Sequence, residues 1–303
     1  MASVLVTGGA GFIGSHIAEL LIEQGYEVFI IDNLSKGCSV NIPHPATFWK
    51  CDIRSPEVKN IFEQYAFDYV IHLAAQTAVS VSNVNPIEDQ DTNIAGLLKI
   101  LDLSRIYRVK RFIFSSSAAT YGNPSLIPIS EELQQRPISF YGLSKLVGEK
   151  YIQMYHDIYG LEYMILRYSN VYGPRQDSSL EGGVISIFIE CLKKAIPYTI
   201  YGDGKQTRDF IYVKDVAKAN IAAMQTSYCN RIYNISTNIQ MNLNDIVEEL
   251  GRITGKRNPV HYLPPKLGDI YHSQLDNGQA KKYLHWQPAY DLNHGLTSFL
   301  MPL

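Results

Sequence analysis

Tyr141 and Lys145 stand four residues apart in a stretch of helical pattern, so their side chains leave one face of a helix. A phenol beside an ammonium is a proton donor and acceptor in waiting. An unperturbed phenol has a pKa of about 10, and lowering it by about three units takes roughly 4 kcal/mol. Two cations close by in a partly desolvated cleft can supply that. With 21 tyrosines in the chain, the spacing alone carries little. Its weight comes from Ser115-Ser116-Ser117 upstream, at the end of a strand-like segment that would deliver hydroxyls to a ligand crevice.

A second group of residues points to the ligand. Gly8, Gly11 and Gly14 follow a short apolar segment and open a helix, with Phe12 and Ile13 between the last two. Glycines so spaced allow a tight turn, close approach to a pyrophosphate, and helix packing on the strand, with the phosphates at the helix N-terminus. Asp32 ends the next strand-like segment. A carboxylate there accepts the adenosine ribose hydroxyls and repels the 2′-phosphate of NADP. The cofactor is therefore read as NAD, and its cationic nicotinamide ring is the second cation that Tyr141 needs.

These groups need a scaffold. Ser3–Thr7, Glu27–Ile31, Thr47–Cys51, Asp68–Leu73, Arg111–Ser116 and Glu162–Arg167 read as strands, separated by helical stretches at 11–24, 55–65, 86–107 and 141–159. The runs VLV, VFII and FIF are apolar without alternation, as in strands buried on both faces. The fold class is α/β: a Rossmann-type doubly wound parallel sheet over residues 1–170, then a smaller C-terminal substrate-binding lobe over 171–303, some of whose segments return to the sheet. The helices at 86–107 and 141–159 are apolar on more than one face, through Leu97, Ile100 and Ile106 on the first and Leu143, Met154 and Ile158 on the second. A second subunit covering them would make a homodimer.

Composition narrows the class further. Hydrophobic residues make up 46% and charged ones 18%, which excludes a disordered or fibrous chain. A net charge of −2 gives no general reason to expect nucleic acid or an anionic membrane. No signal peptide or membrane span is expected. Cys38, Cys51, Cys191 and Cys229 lie far apart with no metal-ligand or redox spacing, so no metal is expected and a reduced, cytoplasmic chain is the simplest reading.

Taken together, Thr7–His16, Asp32-Asn33-Leu34, Cys51-Asp52-Ile53, His72-Leu73-Ala74-Ala75, Tyr141–Lys145, Arg167–Arg175 and Tyr201-Gly202-Asp203-Gly204 through Arg208-Asp209-Phe210 resemble the extended short-chain dehydrogenases/reductases. The resemblance is closest to nucleotide-sugar 4-epimerases of the UDP-glucose 4-epimerase group. It implies that Asp52 and Ile53 lie by the adenine, and that Asn33, Leu73, Ala74, Ala75, Asn93, Ser115 and Tyr168 lie along the cofactor. It implies Ser117 at the sugar O4, Tyr141 as acid/base, and Lys145 at the nicotinamide ribose. Asn170, Gly183 and Val184 would meet the UDP-sugar, Thr199 to Tyr201 the uracil, and Arg208 the diphosphate, with Lys266, Asp269 and Ser273 completing the substrate site.

Related 4,6-dehydratases carry Asp-Glu after the catalytic Thr, and decarboxylating relatives keep a Glu. This chain has Ala118 and Ala119, so C4 epimerisation of a UDP-hexose is expected, extended to N-acetyl sugars because Ser273 stands where a bulky Tyr resembles a gate. The alternatives are another nucleotide-sugar-modifying activity of the same group, such as a UDP-uronic acid epimerase or a 4,6-dehydratase, or an NAD-binding sensor with little turnover. Tyr271 departs from the Arg usual in short members, which leaves more of the diphosphate charge to Lys266 and Arg208.

Overall fold

The computed structural model describes residues 1–179, 183–265 and 270–300. Seven strands form one wholly parallel sheet, in the spatial order Arg231–Ile235, Glu162–Tyr168, Arg111–Ser117, Tyr69–His72, Ser3–Thr7, Glu27–Asp32, Thr47–Lys50. Chain direction across the sheet reverses between Ser3–Thr7 and Tyr69–His72. The crevice of a doubly wound fold opens at such a switch point, beyond the strands' C-terminal ends.

Helices cover both faces, which is why the central strands are apolar without alternation. On one face Phe12–Glu23 and Val213–Gln225 pack over Val4, Val6, Ile30, Ile113 and Leu166. On the other, Glu57–Gln64 and Leu97–Ile106 cover Leu5, Phe29, Val70, Phe112 and Ile165. The strand Arg231–Ile235 and the helix Val213–Gln225 come from late in the chain yet complete this layer. A separate apolar core joins Phe188, Tyr198, Ile200, Tyr212, Ile246 and Leu296 in the C-terminal part.

The helical stretch expected over 86–107 is not uniform. Helix Pro86–Gln90 runs into a π-helical turn, Asp91–Gly96, before Leu97–Ile106 continues. Gly96 permits this course, because a Cβ there would meet Ile53 Cδ1 at 2.6 Å. The helix Phe140–Tyr159 is opened by Ser139, whose hydroxyl accepts from Gly142 N at 3.0 Å, and closed by left-handed Gly160. Phe140, Leu143, Met154 and Ile158 on it remain exposed in the single chain. Among the described residues no helix is long and apolar enough to cross a membrane, and no cluster of side chains could hold a metal ion. The four cysteines are free.

Candidate active site

A cavity of about 680 Å³ lies at the switch point. Its floor is the glycine turn. Gly8 has φ of +72°, and a Cβ there would lie 2.8 Å from Ala74 N, so only glycine allows the first and fourth strand ends to approach so closely. A Cβ on Gly14 would strike Gly8 O and lift the helix Phe12–Glu23 off the turn. Thr7 ties the same two strands, its hydroxyl lying 2.9 Å from His72 Nδ1. Burial pushes the His72 imidazole down to about 3, so it stays neutral.

One end of the cavity is acidic. Asp32, buried at its strand end, accepts from Ala10 N at 3.0 Å and Leu34 N at 2.8 Å. Those bonds hold the carboxylate at the cavity wall and leave it further acceptor capacity. Beside it Asp52 accepts from Asn33 Nδ2 at 2.9 Å and is gripped by Arg54 through two bonds, of 2.9 and 3.0 Å, which holds its carboxyl well below the usual range. Ile53, Leu73, Ala74 and Ala75 line the wall between.

The other end carries Ser117, Tyr141 and Lys145. Ser117 caps the turn Ala118–Thr120 by accepting from Ala119 N at 3.1 Å, and hydrogen-bonds with the Tyr141 side chain. Lys145 Nζ donates to Ser115 O at 2.9 Å and lies 5.9 Å from the centre of the Tyr141 ring. Ser115 Oγ is 3.0 Å from Tyr168 OH, which Asn220 holds from the opposite helix.

The expected lowering of the Tyr141 pKa is not a property of the chain alone. Burial pushes the phenol up to about 12, with Asp89 adding to the rise and the Ser117 hydrogen bond opposing it. Burial also brings Lys145 down to about 8, against the pull of Asp89 and Glu149. Desolvation outweighs the neighbouring charges here, so the added cation has to come with a ligand.

Asn170, Gly183 and Val184 line the same cavity. So do Arg175, which donates to Ser15 Oγ at 3.0 Å, and Gln176, whose buried Oε1 has no partner among the described residues. Sequence reasoning gave neither a role, although Arg175 belongs to a quoted motif. Asn93 does not line the cavity. It lies behind it, donating to Gln76 O at 2.9 Å and Ser144 Oγ at 3.2 Å and accepting from Gln76 N at 2.8 Å. Tyr201 lines a second cavity with Asp203, Gln206, Tyr262 and Tyr271. Thr199 is exposed on the strand Tyr198–Tyr201. Arg208 and Ser273 are brought together by Thr207, whose carbonyl accepts from both Arg208 Nη1 at 2.9 Å and Ser273 N at 3.2 Å. Tyr271 OH sits 3.3 Å from both oxygens of Asp203. Lys266 and Asp269 lie outside the described residues.

A switch-point cavity with a glycine cradle and acidic strand end on one side, and a Ser-Tyr-Lys group on the other, defines a nicotinamide-dinucleotide enzyme of the extended short-chain dehydrogenase/reductase type. Residues 4–236 match the NAD dependent epimerase/dehydratase family, and the chain belongs to it. The chain is 43% identical to the UDP-glucose 4-epimerase of Thermotoga maritima solved with UDP-glucose, with a TM-score of 0.95 over 98% of this chain and 97% of that one. It is 38% identical to the UDP-N-acetylglucosamine 4-epimerase of Methanobrevibacter ruminantium solved with UDP-N-acetylmuramic acid (TM-score 0.94, 99% and 97% covered). The UDP-glucose 4-epimerase of Thermus thermophilus in complex with NAD is also 38% identical (TM-score 0.93, 98% and 97% covered). NAD is the cofactor of the family, and the glycine cradle that a Cβ would fill fits it.

Proposed function

We propose that the protein interconverts the C4 epimers of a UDP-hexose. The observation that carries this is the group Ser117–Tyr141–Lys145 at one end of the cavity, with Ala118 and Ala119 next to Ser117 offering no acid or base. One acid/base suffices for epimerisation, whereas elimination across C5 and C6 needs more. NAD, when bound, supplies a reversible hydride acceptor. Tyr141 takes the O4 proton while Ser117 hydrogen-bonds that oxygen, and Tyr141 returns the proton after the 4-keto sugar has turned over. Lys145 holds the nicotinamide ribose and favours the phenolate. Asp32, Asn33, Asp52, Ile53 and Leu73 to Ala75 hold the adenosine half, and Asn170, Gly183, Val184, Tyr201 and Arg208 hold the nucleotide sugar.

Ser273 supports a broad substrate range. Its side chain is small where the related gate is an aromatic ring, and steric rejection by a rigid ring is how an acetamido group is excluded. UDP-GalNAc and UDP-Gal are therefore both converted, and Ser273→Tyr suppresses only the N-acetyl pair. Product analysis with UDP-Glc, UDP-Gal, UDP-GlcNAc and UDP-GalNAc tests this; ready turnover of UDP-Gal with UDP-GalNAc left untouched overturns the broad range.

NAD is preferred to NADP because the extra phosphate would face the Asp32 carboxylate. Titration of cofactor-free protein with each dinucleotide checks it, and equal affinities would remove Asp32 from this role. The exposed Leu143, Met154 and Ile158 support a homodimer built on the helices at 86–106 and 140–159. Light scattering at micromolar concentration should give twice the 34.2 kDa chain mass; a monomer refutes it. The free cysteines support a cytoplasmic location.

A further inference from the structure

Asp89 is buried to 1% exposure on helix Pro86–Gln90, and no motif marks it. Its Oδ1 accepts from Gln76 Nε2 at 3.1 Å and from Asn93 Nδ2 at 3.0 Å. Asn93 in turn clamps the Gln76 backbone and donates to Ser144 Oγ, and Ser144 donates to Tyr141 O at 3.0 Å. The π-helical turn Asp91–Gly96 carries Asn93 into this cluster. A buried carboxylate thus stands behind the residue pair that moves the proton.

We propose that Asp89 is a positioning residue of the Tyr141–Lys145 pair: through Asn93 and Ser144 it holds the pair's helix, and its carboxylate is the buried charge set behind that pair. This rests on the reading of Tyr141 as acid/base. The same charge opposes phenolate, so Asp89 gives up some phenol acidity to keep the lysine charged. The electrostatics agree, since Asp89 raises the pKa of both Tyr141 and Lys145. Few other charges compete. Glu149, on the pair's own helix, also favours Lys145 ammonium, but it is engaged by Arg167 from the strand Glu162–Tyr168. From the sheet, His72 is neutral, and Tyr168 is a phenol pushed up to about 12 by burial. On the helical segment of Asp89 itself, Glu88 and Asp91 reach out to Arg54.

The test is Asp89→Asn in the NAD-loaded enzyme, with Asp89→Ser as a second variant in case the amide disturbs folding. In the pH profile of kcat with UDP-Gal, both the acidic and the alkaline limb move down by about one pH unit, the usual size for removing one nearby charge. A readout independent of turnover is the 13Cζ resonance of Tyr141 in tyrosine-labelled holoenzyme, assigned by its absence in Tyr141→Phe. It titrates at lower pH in Asp89→Asn than in wild type. A fall in kcat with both limbs and the resonance unmoved overturns the proposal, as does loss of the cooperative melt in both variants, which would make Asp89 a core residue only. If the resonance shifts but Tyr141→Phe keeps wild-type turnover, the acid/base reading fails while the electrostatic coupling stands.

Discussion

Tyr141→Phe lowers kcat by about 10²–10⁴, the range for removing a positioned acid/base, and leaves KM for the UDP-sugar close to wild type. The ring still fills its place between Ser117 and Lys145, so folding and ligand binding persist, but nothing remains to take the O4 proton. Among the described residues beside Tyr141 none is placed to take over its role. Ala118 and Ala119 carry no titratable group, His72 is neutral and hydrogen-bonded to Thr7, and Tyr168 is tied to Ser115 and Asn220. The measurement is initial-rate conversion of UDP-Gal, with a thermal melt of both proteins to show equal folding. Wild-type turnover in the variant would exclude Tyr141 from the chemistry.

Arg167→Met should be the most destabilising single change near the site. Arg167 and Glu149 are fully buried and joined by two bonds, of 2.9 and 2.6 Å. The guanidinium also donates to Tyr121 OH at 2.8 Å and lies 4.8 Å from the centre of that ring, while Tyr121 OH donates to Asn234 at 2.7 Å. Removing the cation leaves the Glu149 carboxylate buried with Ser116 Oγ, 2.5 Å away, as a remaining donor. Breaking a buried pair in this way costs about 3–5 kcal/mol, whereas replacing both partners by apolar groups is often close to neutral. Denaturant unfolding of Arg167→Met and of Glu149→Met/Arg167→Met distinguishes the two. Similar losses in both would mean that packing of the arginine, rather than the stranded charge, sets the cost. Ser116 lies between Ser115 and Ser117, so the single variant should also disturb the strand end that presents the Ser117 hydroxyl.

How much of this the chain announces depends on the range of the interactions. Most of the six strands from Ser3–Thr7 to Glu162–Tyr168 are visible as apolar runs because they are covered on both faces, the edge strand Thr47–Lys50 being only partly buried, and the limits of all six agree with the structure to within one residue. The glycine turn and the Tyr141–Lys145 spacing are equally local. A turn needs its glycines within a few residues, and a helix sets which positions share a face. The helix Val79–Val84 and the π-helical turn at Asp91–Gly96 left no such trace, since they answer to Ile53, Gln76 and the helix Phe140–Tyr159 rather than to their own periodicity.

The tertiary structure alone decided the rest. The seventh strand, Arg231–Ile235, comes late in the chain, and its pairing with Glu162–Tyr168 assigns it to the sheet. Asn93 has the residue type of a ligand contact, yet its position behind the cavity follows from Gln76 and Ser144, which are 17 and 51 residues away in the chain. The sign of the Tyr141 shift was also out of reach of the sequence. The chain shows that a phenol and an ammonium share a helix face, and from that pair lowering is the natural expectation. Whether the phenol is raised or lowered depends on how much water burial removes and on where Ser117 and Asp89 come to rest, and both are consequences of packing.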